Sequence, residues 1–459
     1  MNTAEMLDPE SWAKRTFGRS QLKDLRRTAR AVKVATRMAE NASASLPAQM
    51  QTWKETIAVY RLLGEADVTF EALMQPHWQE TRERIAAQPV VLLAQDTTEI
   101  DLSRHPHSTG LGQVGNERGR GLYLQTVLAI LPHSGAVIGC ALQEPWVRVP
   151  APAGETRSQR RHRTQRETDV WMRLVRRLGS FPAETSVVHM GDRGADLFPF
   201  FQACQATQTH FLVRAFENRR IAPGERPQRH LLDEVRTWPA TASRPFQVSA
   251  SHGRTARSTQ VQLAFGPVTL LPPRFEKRYG TASLVGWAIR VWEEQPPAGE
   301  EPLEWILLTS VPTTTLEHAW ERVGWYERRW IVEDYHQCLK TGCRLEERQV
   351  QSADRLIRLL GFLSPLAVRL LYLRTLARRE PERPAREVLD ADLLALVAAQ
   401  AGQSPTRMTT GAFWKAVAQM GGYLARRGDG PPGWKTLWQG WLRVQTLLEG
   451  VHLGTQLRL

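Results

Sequence analysis

Two short apolar runs in this chain stop on a carboxylate: VVLLAQD at residues 90–96 and SVVHMGD at residues 186–192. Such runs suit central strands buried on both faces. An aspartate at the end of each would then stand at the rim where open α/β sheets assemble their sites. LYLQTVLAIL and AVIGCALQEPWV follow the first run, joined by the hairpin connection PHSG. Next come a basic helix in RETDVWMRLVRRLG, the second run, a helix in ADLFPFFQACQA and a strand in HFLVRAF. Three strands, helix, strand, helix, strand specify a mixed α/β sheet whose first two connections are antiparallel.

Outside this core the pattern changes. Residues 1–75 read as helical. In SQLKDLRRTARAVKVATRMAEN, Ser20 is the expected N-cap, with Leu22, Leu25, Ala29, Val32 and Met38 as the core face. Arg26, Arg27, Arg30 and Lys33, with Lys23 and Arg37, follow the same step on another face. Residues 220–312 are β-rich and read as an insertion of antiparallel strands (FQVSAS, STQVQLAFGPVTLLP, SLVGWAIRVWEE, EWILLTSVP). The expected organisation is a helical domain at 1–75, a core in two parts at 76–219 and 313–378, the insertion at 220–312, and a helical C-terminal domain at 379–459.

The net charge of +13 and a pI of about 10.0 point to a polyanionic partner. A helix with one apolar and one cationic stripe packs on its neighbours while lying along phosphates, although an ordinary basic surface helix has the same pattern. The overall charge favours DNA. The longest apolar run, LIRLLGFLSPLAVRLLYL, is interrupted by Arg358, Pro365 and Arg369, which predicts a buried helix and no membrane partner. No signal-peptide core opens the sequence, so a cytoplasmic location is expected. Cys140, Cys204, Cys338 and Cys343 make no zinc-binding spacing and read as reduced, buried thiols. His105 and His107 form a pair in a polar loop that reads better as surface than as metal ligands.

The stretch WYERRWIVEDYHQCLKTG, residues 325–342, reads as a helix. At about 100° per residue, Tyr326, Arg329, Glu333 and Lys340 fall within roughly 60° of one another. Most such stripes are solvated ion pairs. Here Trp330 and Ile331 crowd the same part of the helix, and an anionic ligand, with or without a metal, would satisfy all four groups. Asp96, Asp192 and Glu333 would meet at one rim of the sheet and repel unless protonated or bridged by hard cations such as Mg²⁺ or Mn²⁺. Taken singly, Asp96 before Thr97-Thr98 suits an Asx turn, and Asp192 a cap for a helix starting near Ala195. The nearby Glu99, Asp101 and Asp196 suit capping or surface roles.

The spaced set Tyr326-x2-Arg329-x3-Glu333-x6-Lys340 resembles the YREK motif of the insertion-sequence-four family of bacterial DDE transposases. QDTT around Asp96 and DRGAD from Asp192 resemble that family's two aspartate motifs. SWAKRTFGRSQLKDLRRTARAVKVA resembles its N-terminal DNA-binding helices, EWILLTSVP the strand before the glutamate helix, and GGYLARRGDGPPGWKTLWQGWLRVQTLLEG its C-terminal region. The resemblance implies an RNase H-like core on which Asp96, Asp192 and Glu333 hold two Mg²⁺ ions, with Mn²⁺ able to substitute. It implies that Tyr326, Arg329 and Lys340 hold DNA phosphates, and that Trp305 stacks on a base flipped from the transposon end. A tryptophan in the strand EWILLT is equally a core residue. Gln337 stands where a second lysine is expected. The implied activity is cut-and-paste transposition: binding of terminal inverted repeats, hydrolysis, a hairpin intermediate and joining to target DNA by a homodimer. A metal-dependent nuclease and an inactive DNA-binding derivative are the rival readings.

Overall fold

The structure, a computed structural model, describes residues 7–456 apart from 116–117, 151, 153, 157–158, 160–165, 223–228, 249–254, 275–279, 298, 301, 379 and 427–428. Its strands are β1 (Val90–Asp101), β2 (Gly112–Val114), β3 (Gly119–Ile130), β4 (Val137–Trp146), β5 (Ser186–Gly191) and β6 (His210–Arg214). Then come β7 (Arg220–Ile221), β8 (Arg229–His230), β9 (Ala242–Val248), β10 (Arg257–Leu270), β11 (Leu284–Glu293) and β12 (Glu304–Thr309). All belong to one mixed sheet. The antiparallel β1–β3 and β3–β4 pairs, with β5 and β6 parallel to β1, follow the expected order.

Two strand expectations change. β1 does not stop at Asp96: Thr97 to Asp101 stay paired with Gln125 to Gly121 of β3. This excludes an Asx turn, and the β-branched threonines suit the extended backbone. The inserted strands are antiparallel as expected, yet β12 pairs with β6 and so prolongs the core sheet. Without β12 that edge of β6 would present unpaired backbone groups.

The N-terminal helices each start on a side chain that accepts an amide hydrogen: Asp8, Asp24, Ser45, Thr52 and Thr69. The basic helix therefore runs Leu25–Glu40, capped by Asp24 and not by Ser20. Lys23 takes a left-handed conformation (φ 60°), which ends any helical path from Ser20. Ser20 instead offers its carbonyl to Thr28 Oγ1 at 2.9 Å. The core face is correspondingly Thr28, Ala31, Val34, Ala35, Met38 and Ala39; Leu25 is 87% exposed and Ala29 is also outside. Leu22 and Met38 are buried as expected and Val32 packs against the core, so the expectation fails only at Leu25 and Ala29, where the small residues Ala31 and Ala35 pack instead.

The helix Ala353–Arg378 is long and apolar enough to cross a membrane by composition, and 89% of its most apolar window is buried inside the protein. It passes Pro365 and ends among C-terminal helices Ala391–Gln400, Thr410–Met420 and Trp434–Gln456. A Cβ at Gly440 would stand 1.7 Å from the Val417 carbonyl oxygen, so glycine is required where the last two helices cross. The four cysteines are free and buried.

Candidate active site and nucleic-acid interface

Asp96 lies in mid-strand on β1, opposite Thr126 of β3. Asp192 follows the last residue of β5, and its carboxylate accepts the Gly194 amide at 2.8 Å. Glu333 comes from a winding helical path: Leu316–Glu327, a 3₁₀ turn at Arg328–Trp330, an α-helix at Ile331–Gln337, and a wide π turn at Cys338–Gly342. The path is continuous, but its pitch changes twice, so a uniform 100° step does not hold across it. Tyr326, Arg329 and Glu333 stay together. The Arg329 guanidinium donates to Glu333 at 2.9 Å and lies 5.9 Å from the centre of the Tyr326 ring. Lys340 turns away to Glu346, 3.3 Å distant, beyond the end of β1.

Asp96 and Glu333 each feel neighbouring carboxylates. Burial, reinforced by the charges of Asp192 and Glu333, pushes Asp96 up to about 7, while Arg329 opposes the shift. Burial also raises Glu333, with Asp192 adding and Arg329 opposing. Tyr326 is raised by burial too, in the field of both Arg329 and Asp192. Arg329 is itself buried, and its Nε has no hydrogen-bond partner among the described residues. An oxygen-only donor set with an excess of negative charge suits a hard divalent cation. The side chains as they stand do not close a shell: among the described residues no three His, Cys, Asp or Glu groups are near enough to hold one ion. Arg329 supplies the local positive charge.

Trp305, near the start of β12, meets Phe246 and Tyr326 edge-on at 5.7 and 5.5 Å and is partly buried. Trp330 is the more open indole, 55% exposed, with the Arg329 guanidinium 4.8 Å from its ring centre. Gln337 is exposed. The rival carboxylates are occupied elsewhere. Asp101 accepts from the amide and hydroxyl of Ser103, Glu99 accepts from the Tyr123 hydroxyl, and Asp196 is buried against Arg219. His105 Nε2 donates to the Glu346 carbonyl oxygen at 2.7 Å.

Sequence reasoning missed His336. It is buried, with Nε2 3.1 Å from Thr126 Oγ1 and Nδ1 3.6 Å from Asp96 Oδ2. Its spacing of three residues from Glu333 was readable as a shared helix face. Its position over Asp96 was not, because that depends on how the helix packs on β1.

On the basic helix, Arg26, Arg30 and Lys33 point outward beside Leu25 and Ala29. Arg26 pairs with Asp24, Lys33 pairs with Glu55, and Arg30 has no ion pair among the described residues. Arg27 turns inward instead, bridging Asp67 at 2.8 Å and Glu65.

Residues 9–68 match the family model for the transposase DNA-binding domain. DNA is thus a partner of this part of the chain. The transposase DNA-binding domain spans the helices from Pro9–Phe17 to Trp53–Leu62 and carries the outward basic face. Arginines from the rest of the protein clamp it in place. Arg348 donates to the Ala42 and Ala44 carbonyls, Arg358 to Leu63, and Arg369 to Ala39. Cations at the carbonyl end of a helix also complement its dipole.

Proposed function

We propose that the protein is a cut-and-paste DNA transposase of the DDE class, as the motif resemblance implies. The observation that carries this reading is that Asp96 lies in the field of Asp192 and Glu333, carboxylates from distant segments, on a chain with a transposase DNA-binding domain. The strand arrangement around β1 supports an RNase H-like core.

In this reading Asp96, Asp192 and Glu333 would hold two Mg²⁺ or Mn²⁺ ions. Bound there, the ions supply charge stabilisation to the attacking and leaving oxygens of a phosphodiester. Arg329 would exchange Glu333 for a DNA phosphate, which frees the carboxylate as substrate arrives. Tyr326 braces Arg329, and Lys340 would hold a phosphate farther along the strand. Trp305 offers an indole for base stacking once its edge contacts open. Arg26, Arg30 and Lys33 would bind the transposon-end duplex. Water would attack one strand, the released 3′-hydroxyl would attack the other to give a hairpin, and the reopened ends would join target DNA. Each step replaces one phosphodiester oxygen by another, so one acidic site serves them all. Exposed Leu447, Val451 and Leu453 on the C-terminal helix support a homodimer surface. The site of action would be the bacterial cytoplasm, on nucleoid DNA.

Glu333→Gln tests the reading. With linear DNA carrying terminal repeats, a supercoiled target and Mg²⁺, the wild type is expected to give joined products. The variant should bind ends normally and cleave at least about 10³-fold more slowly, since removing a metal ligand forfeits several kcal/mol of transition-state stabilisation. Nicks without joining would favour a nuclease; binding without cleavage by the wild type would favour an inactive DNA-binding protein.

A further inference from the structure

Two faces of the glutamate helix hold different partners. Glu333 belongs with Arg329 and Tyr326, whereas Asp334, one step of about 100° farther round, pairs with Arg374. Arg374 lies near the end of the long helix Ala353–Arg378, and Arg378 follows it by one turn. Between this helix end, the helix Phe70–Ala86 and the β3–β4 hairpin is a cleft of about 640 Å³, within the range of about 300–1,000 Å³ typical of small-ligand sites. Arg84, Arg374 and Arg378 line its cationic side, and Leu131 and Ile138 give it an apolar wall.

The protein does not balance the positive charge of this cleft. Arg84 donates to the Ile138 carbonyl at 2.8 Å and to Glu80 at 2.6 Å, but Glu80 is shared with Arg15. Arg374 has Asp334, while the exposed Arg378 has no hydrogen bond or ion pair among the described residues. Like charges one helical turn apart repel. Partial desolvation lowers Arg378, with the charges of Arg374 and Arg328 adding to the shift and Asp334 opposing it. A cationic rim is common on a chain of net charge +13. Tyr372 sets this one apart: it is 6% exposed, its side chain lines the cleft, and its hydroxyl has no hydrogen-bond partner among the described residues. Buried polar groups are nearly always paired, so this hydroxyl beside guanidiniums marks a place for an acceptor from outside.

We propose that this cleft binds a phosphate ester of a DNA strand. Arg374 and Arg378 supply charge and forked donors to the phosphate oxygens, the Tyr372 hydroxyl donates to one of them, and the sugar lies against Leu131 and Ile138. Continuity of charge favours a strand over a free nucleotide: Glu80 joins Arg84 of the cleft to Arg15 of the helix Pro9–Phe17, so the cationic edge reaches the DNA-binding domain. Such a contact carries no base sequence; it fixes where a strand crosses behind the glutamate helix. The proposal needs DNA as a partner but neither a metal nor cleavage, so it stands apart from the transposase chemistry.

Arg378→Gln and Tyr372→Phe test it in the metal-free full-length protein, with a duplex that the protein selects from a random pool. Both variants should melt with the wild type, since one changes an exposed helix end and the other removes only a hydroxyl. Arg378→Gln should lower the slope of log affinity against log salt by about one, read between about 50 and 200 mM salt. Tyr372→Phe should weaken binding about 2–10-fold, the worth of one hydrogen bond, with the slope unchanged. Ethylation of single phosphates should expose one whose modification weakens the wild type but costs the R378Q/Y372F double variant nothing more. Unchanged DNA binding in both variants would overturn the proposal. A loss in Arg378→Gln with none in Tyr372→Phe would be a diffuse charge effect and would overturn it too. Calorimetry with deoxyadenosine monophosphate forms a separate arm: binding that both variants lose, beside unchanged DNA binding, would make the ligand a free nucleotide and reject the strand. The expected DNA results with no cleavage by the wild type would sustain the proposal and reject the transposase activity.

Discussion

Asp192 and Asp196 lie four residues apart in one loop and differ in almost every physical respect. Asp196 is 2% exposed and fully answered: it accepts the amides of Phe216 and Glu217, each at 2.8 Å, and two bonds from the Arg219 guanidinium, at 3.0 and 2.6 Å. Asp192 is half-buried, accepts one amide hydrogen, and spends its charge on Asp96, Glu333 and Tyr326. The short turn Arg193–Ala195 between them directs one carboxylate into the protein and the other into the acidic site. Satisfied charge builds structure; charge left in deficit is available to a ligand.

The sharpest way to break this contrast is Asp196→Ala. It leaves Arg219 buried without its partner and should cost about 3–5 kcal/mol in urea unfolding, whereas Asp192→Asn should change stability by less than about 0.5 kcal/mol. Comparable losses would mean that both aspartates are structural.

Asp96→Asn probes the deficit directly. The native carboxyl, at about 7, lies above its ordinary value of 3.8, so the folded state binds this proton more tightly than the unfolded chain does. Wild-type stability should therefore fall between about pH 4 and pH 7 from this group, with the full penalty present above pH 7. In metal-free protein, Asn should add about 2–4 kcal/mol at pH 8 and almost nothing at pH 4. A variant no more stable at pH 8 would show that the site carries no charge strain.

The smallest effects separate the two kinds of arginine on the basic helix. Arg30→Ala should lower the slope of log affinity against log salt for end DNA by about one phosphate contact, with no loss of stability. Arg27→Ala should leave that slope intact and reduce stability by less than about 1 kcal/mol, the range of a partly exposed ion pair. Equal salt slopes for both would erase the distinction between outward and inward charge.

Local pattern made much of the architecture readable. The apolar runs did become the central β1 and β5, the hairpin after β3 formed, and the long apolar helix is buried. Errors arose where two local patterns competed. Apolar spacing from Leu22 nominated Leu25 and Ala29 for the core, but the face with Ala31, Val34, Ala35 and Met38 packs instead. Tyr326, Arg329 and Glu333 kept company because short steps tolerate a change of pitch; Lys340, inside the π turn, pairs with Glu346 instead. The place of His336 over Asp96 was not readable, because nothing near it in sequence names Thr126 or Asp96.

By itself the sequence determined the succession of strands and helices, the acidic groups available to a site, and a cationic face on the transposase DNA-binding domain. Those properties follow from periodicity, capping and charge, which act over a few residues. Tertiary structure alone decided which aspartate is neutralised, which carboxyl is held above its ordinary range, and which arginine faces outward. Each of those depends on desolvation and on partners brought from far along the chain, and only packing supplies them.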